Sequence, residues 1–221
     1  MRNTGSRLIA LLILAVLLLS GLMGAALGKY IRTMSFPGKV TFSATLATGM
    51  KLQEHQVERQ SDGSYETTPV LLPDEGVVGN GNEYVLLPGL DIPKDPFITV
   101  EGKTSIPAYL YVEVVDTTAD TLSYTMADHW LKLEGVTGKN GGAVYVYSTT
   151  NPVNARTPLA IDNTFGGTVD ILDGNTVTVS QKVTHGAAAG KLDFYACMGE
   201  TAFSTETDPV AQAKAVYNAI P

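Results

Sequence analysis

Hydrophobic and polar positions fall into two regimes along this chain, one continuous apolar run at the start and an alternating pattern through most of the rest. From Leu8 to Leu27 the sequence is apolar except at Ser20, Gly21 and Gly24, and it is preceded by Arg2 and Arg7 with no acidic residue. Small residues close the run, with Ala26 and Gly28 at the minus-three and minus-one positions of a peptidase site. Basic start, apolar core and small-residue end are the layout of a secretory signal. The rival is an uncut membrane anchor, because the run approaches the roughly 20 apolar residues that span a bilayer. Residues 1–28 are therefore expected to be a signal peptide or membrane segment, and 29–221 a folded domain.

Within 29–221 the period is mostly two. Lys39 to Ala47 alternates Val40, Phe42, Ala44 and Leu46 with polar positions, as a half-buried strand does. Residues 51–82 are largely polar with an Asp62–Gly63 turn signal, and predict a loop or hairpin insert. Further strands are predicted at Glu83–Leu87, Pro96–Glu101, Ala108–Asp116, Trp130–Glu134, Ala143–Ser148, Val177–Val183 and Lys191–Met198. Pro93, Pro96 and Pro107 mark strand ends or edges, since proline cannot donate to a central ladder. Asn140–Gly141 predicts a tight turn with positive φ angles. Only the end looks helical: Asp208 suits an N-cap, Pro209 suits the first helical position, and Val210, Ala213, Val216, Tyr217 and Ile220 recur at helical spacing. Short strands separated by Gly, Pro and Asn turns predict an all-β antiparallel sandwich with a short C-terminal helix.

Composition narrows the class. The 221 residues are 44% hydrophobic and 17% charged, an ordinary globular balance that argues against disorder or a fibrous repeat. Net charge is −7, from 15 basic and 22 acidic side chains; without Arg2 and Arg7 the balance is 13 against 22, or −9. So acidic a chain has no footprint for nucleic acid, and it meets a membrane only through its leader. Cys197 is the only cysteine, so no internal disulfide can form. It is either a small apolar strand residue or a thiol for intermolecular crosslinking.

Chemistry is sparse. His55, His129 and His185 are far apart and follow no zinc-protease spacing, although a metal site could assemble from them in space with Asp128. Asp74–Glu75 and the pair Asp91 and Asp95 lack the regular spacing of a calcium loop. No nucleophile elbow, phosphate loop or dinucleotide fingerprint occurs, so no catalytic residue and no cofactor is expected. Tyr109, Tyr111, Tyr145 and Tyr147 alternate on two predicted strands. They form either an exposed stacking surface for glycan or a partner chain, or one side of the core.

Four stretches, in order, resemble the TasA and camelysin-like family, exported in Gram-positive bacteria through a signal peptide of the SipW type. They are GAALGKY from Gly24 to Tyr30, VTFSATLA from Val40 to Ala47, LLPGLDIPKDPFITVEGKTSIPAYLYVEV from Leu86 to Val114, and KLDFYACMGETAF from Lys191 to Phe203. The chain departs from that pattern at Leu90, where an acidic residue is usual, at Gly28, and at Ile31–Arg32. The resemblance implies a jelly-roll-like sandwich in biofilm-matrix or cell-surface fibres, processed by a SipW-type peptidase. Its expected partners are copies of itself, with cell-wall glycan or other matrix proteins as further candidates. It also implies that the N-terminal strand of one subunit completes the sheet of the next, which is β-strand addition. The donor would then be Val40, Phe42, Ala44 and Leu46. A monomeric surface-binding module is the alternative, and a metalloprotease, a label some camelysin members carry, is a third.

Overall fold

The computed structural model describes residues 33–34, 40–41, 50–72, 82, 84, 87–100, 106–118, 121–149, 156–162, 164–182 and 191–220. In chain order their strands are β1 (Thr33–Met34), β2 (Val40–Thr41), β3 (Met50–Gln53), β4 (His55–Arg59), β5 (Tyr65–Leu71), β6 (Asp91–Pro93) and β7 (Phe97–Val100). There follow β8 (Ala108–Asp116), β9 (Leu122–Ser123), β10 (Trp130–Thr137), β11 (Ala143–Tyr147), β12 (Gly167–Asp170), β13 (Thr176–Val179) and β14 (Leu192–Glu200), then helix α1 (Pro209–Ala219). The long sheet has the order β1-β2-β14-β8-β11-β10; two three-stranded sheets run β12-β7-β3 and β6-β13-β9; β4 and β5 form a hairpin. Pairing is antiparallel except where β2 lies parallel to β14.

β8 explains the layering. Its sequence AYLYVEVVD is apolar on both parities, and every residue from Ala108 to Val114 is buried. A strand hydrophobic on both faces must be covered on both. Leu110, Val112 and Val114 join Ile98, Val100, Val169, Val177 and Val179 of the short sheets in the larger core. Tyr109 and Tyr111 turn the other way and meet Ala213, Val216, Tyr217 and Ile220. The long sheet thus lies between the short sheets and α1.

Helix α1 begins where its sequence says it should. The Asp208 carboxylate accepts the Ala211 N–H at 2.8 Å, and Pro209 occupies the first turn. The helix comes close to β14 at Gly199, where a Cβ would sit 2.5 Å from Val216 Cγ1. Only glycine leaves room there.

Glu113 is the polar exception on the helix side of β8, at 4% exposure. Its Oε1 accepts the N–H groups of Asn140 (2.7 Å) and Gly142 (2.9 Å), and its Oε2 accepts Asn140 Nδ2 (3.0 Å). The carboxylate therefore holds the β10–β11 turn from beneath. In that turn the Gly141 N–H donates to Gly138 O, and Gly141 carries the positive φ of +87°. Two positive φ angles were expected of Asn140–Gly141. Asn140 does not take one; its amide and its backbone N–H both donate to Glu113.

Among the predicted strands, Ala108–Asp116 matches β8, whereas Val177–Val183 ends early at Val179 and Lys191–Met198 runs on to Glu200. Of Lys39–Ala47, only Val40–Thr41 is described. Of Glu83–Leu87, Tyr84 and Leu87 are described and lie outside any strand. The 51–82 stretch contains the expected hairpin, but its first residues form β3, which pairs with β7 and brings Met50 into the core. β6, β9 and β12 were not predicted: they are short, and β12 offers a single apolar residue, Val169.

Candidate functional sites

The four candidate tyrosines do not form one surface. Tyr145 lies opposite Val112, and Val146 opposite Tyr111, so Tyr145 and Tyr111 are on different faces of the sheet. Tyr109 and Tyr111 are buried under α1, where Tyr111 Oη donates to Ala213 O at 2.8 Å and its ring meets Tyr217 at 5.2 Å. Burial pushes the Tyr111 phenol well above its ordinary range. Tyr145 and Tyr147 are half-buried against the larger core. The pleat therefore divides the four tyrosines between the two faces of the sheet, so they do not make one exposed platform.

Of the expected donor strand, Val40 lies in β2 with its backbone opposite Ala196, and Thr41 opposite Cys197. Phe42, Ala44, Leu46, Ala26 and Gly28 lie outside the described residues. The edge that β2 occupies is distinctive. β14 is nine residues long and pairs with β8 over its whole length. On its other side, β2 pairs with it at two positions. Among the described residues, the remaining outer edge of β14 has no strand beside it.

Cys197 sits in this strand and packs against the helix-side core. Burial pushes its thiol up to about 12; Lys139 opposes that shift and Glu113 adds to it. So protonated a thiol is a poor nucleophile, which fits the packing role better than a crosslinking one. At the end of β14, Glu200 is 7% exposed, and its Oε1 has no hydrogen-bond partner among the described residues. Burial raises its carboxyl above the ordinary glutamate value.

A second polar centre lies at the base of the β4–β5 hairpin. Glu54, the single residue between β3 and β4, faces Lys94 in the loop between β6 and β7. Lys94 Nζ donates to both Glu54 oxygens at 2.9 Å, and the two side chains are 12% and 15% exposed. Asn82 Nδ2 donates to the same Glu54 Oε1 at 3.0 Å and to His55 O at 2.8 Å, while its Oδ1 accepts the Val57 N–H at 2.8 Å. Next to it, His55 Nδ1 meets Asp95 Oδ2 at 2.6 Å, and the His55 N–H donates to Asp95 Oδ1 at 3.1 Å. Tyr84 Oη donates to Pro93 O at 2.7 Å; burial, then the charges of Glu54 and Asp95, push its phenol well above its ordinary range. Lys94 Nζ also lies 5.7 Å from the centre of the Phe194 ring.

Sequence reasoning missed this centre, although it was written there as two complementary dipeptides, Glu54–His55 and Lys94–Asp95. Asp91 and Asp95 are engaged separately: Asp95 with His55, and Asp91 with the Thr178 hydroxyl, which donates to it at 2.6 Å. His129 is held elsewhere, with Nε2 2.6 Å from Asp170 O and its ring against Trp130 and Tyr147. His185 and Asp74–Glu75 lie outside the described residues. Among the described residues no three metal-binding side chains gather, and no helix is long and apolar enough to cross a membrane. Comparison with protein-family models, with curated proteins and with solved structures finds no match.

Proposed function

We propose that this chain is an exported structural subunit of a bacterial biofilm-matrix or cell-surface fibre, related to the TasA and camelysin-like proteins. Its sheets then form a jelly-roll-like sandwich that is extended by β-strand addition. The observation that carries this reading is the edge of β14, long and apolar but, among the described residues, paired at two positions by a parallel N-terminal strand. Such an edge is a template for another chain, because it offers a row of N–H and C=O groups. A donor strand arriving from a neighbour in the same register would set position 42 opposite Met198 and position 44 opposite Glu200. Its alternating apolar residues would then fall on one face.

The leader supports secretion, with anchoring at the cell surface as the outcome if it stays uncut. While it holds the N-terminal strand at the membrane, that strand cannot serve a neighbour, so cleavage acts as the assembly switch. The role is structural rather than catalytic, and the acidic surface keeps the free subunit soluble. Electron microscopy and size-exclusion chromatography of a chain beginning at Lys29 provide the test. Filaments are expected, and Phe42→Asp should abolish them while leaving a folded monomer, because a carboxylate would have to be buried beside Met198. Unchanged filaments in Phe42→Asp would overturn the strand-addition route.

A second reading, a monomeric surface-binding module, is favoured by the half-buried Tyr147 and Phe165 rings, 5.5 Å apart, beside His129. A persistent monomer that retains cell-wall glycan would select it.

A further inference from the structure

The three side chains at the base of the hairpin have a chemistry of their own, which does not depend on assembly. A lysine amine and an asparagine carboxamide both bond one carboxylate oxygen, Glu54 Oε1, at 2.9 and 3.0 Å. The nucleophile and the leaving group are therefore two hydrogen bonds apart and share one proton acceptor. Asn82 Nδ2, the group that would leave, is the atom on Glu54, whereas Oδ1 faces the Val57 N–H at 2.8 Å. Lys94 and Glu54 are mostly withdrawn from water. A simple salt bridge needs only the lysine and the glutamate; it does not need a carboxamide aimed at the same oxygen with its carbonyl polarised from behind.

We propose that Lys94 and Asn82 become joined, side chain to side chain, by an amide bond. Glu54 takes a proton from Lys94 Nζ, and the freed amine attacks Asn82 Cγ. The negative charge that develops on Oδ1 is stabilised by the Val57 N–H, as an oxyanion is by a preorganised donor. Glu54 then delivers a proton to Nδ2 while the Cγ–Nδ2 bond breaks, and ammonia leaves. In balance, one ammonium group and one carboxamide give one amide and one ammonium ion, with no oxidant and no second reactant. Holding both groups on one carboxylate oxygen supplies the orientation that opens an unreactive amide to attack. Glu54 acts as the general acid and base.

Mass spectrometry of the purified full chain, denatured after folding, decides the matter. The wild type is expected to be lighter than its sequence by one ammonia, and cleavage after Glu83 should leave the Asn82 and Lys94 peptides joined. Lys94→Arg and Asn82→Ala should each carry their full mass. Glu54→Gln should also do so while keeping a wild-type circular dichroism spectrum, because the glutamine cannot carry the proton. A folded wild type at full mass would sink the proposal. So would an ammonia loss that survives in Lys94→Arg, since that would mark a succinimide at Asn80–Gly81 or Asn140–Gly141 instead.

Discussion

Glu113 and Glu200 are both buried glutamates on the long sheet, and their surroundings give them opposite consequences. Glu113 receives three N–H groups from one turn, so removing its carboxylate strands all of them. Glu113→Ala is expected to destabilise the fold by about 2–3 kcal/mol, the range for losing a buried charged acceptor, read as a lower urea midpoint. Gly138→Ala should act at the same place, because its Cβ would lie 2.1 Å from Glu113 Cδ. Glu200 has a raised carboxyl and an oxygen with no hydrogen-bond partner among the described residues. A folded-state value above the unfolded one means that the native protein holds the proton more tightly. The stability from that proton is fully present below the unfolded value and is lost as pH rises through the folded one. Glu200→Gln should therefore melt higher than the wild type at neutral pH, with the gap closing below the ordinary glutamate range. Melts at both pH values check the sign.

At the scale of elements, legibility followed local rules. β8 and α1 could be read from the sequence because each carries its own signal: a run rich in Tyr and Val in one, and a cap, a proline and a helical stripe in the other. Asp208→Ala should cost about 1 kcal/mol, the usual worth of an N-cap, as a shift in denaturation midpoint. The faces were harder. Four tyrosines at alternating positions looked like one surface, and only the register between β8 and β11 divides them between two cores. The polar centre was hidden for the same reason: Glu54 and Lys94 are 40 positions apart, and no local pattern announces that β3 and the β6–β7 loop will meet. β6, β9 and β12 are strands by virtue of their neighbours, and tertiary pairing rather than propensity makes them so.

For the whole molecule, the arrangement of sheets puts the earliest and latest parts of the chain side by side. β2 and β8 flank β14, so the middle of the long sheet is supplied by the penultimate regular element, about 80 residues after its partner β8. Pairing strands so distant in sequence must first overcome the entropy of closing a long loop. A chain made from its N-terminus onward therefore has no complete long sheet until β14 has emerged, and α1, which follows β14, packs on that sheet. Until β14 arrives, the edge of β8 that it fills stays open, and the long sheet closes around β14 only then. If the chain is exported as proposed, that dependence keeps the long sheet from forming before the strand that completes it has emerged.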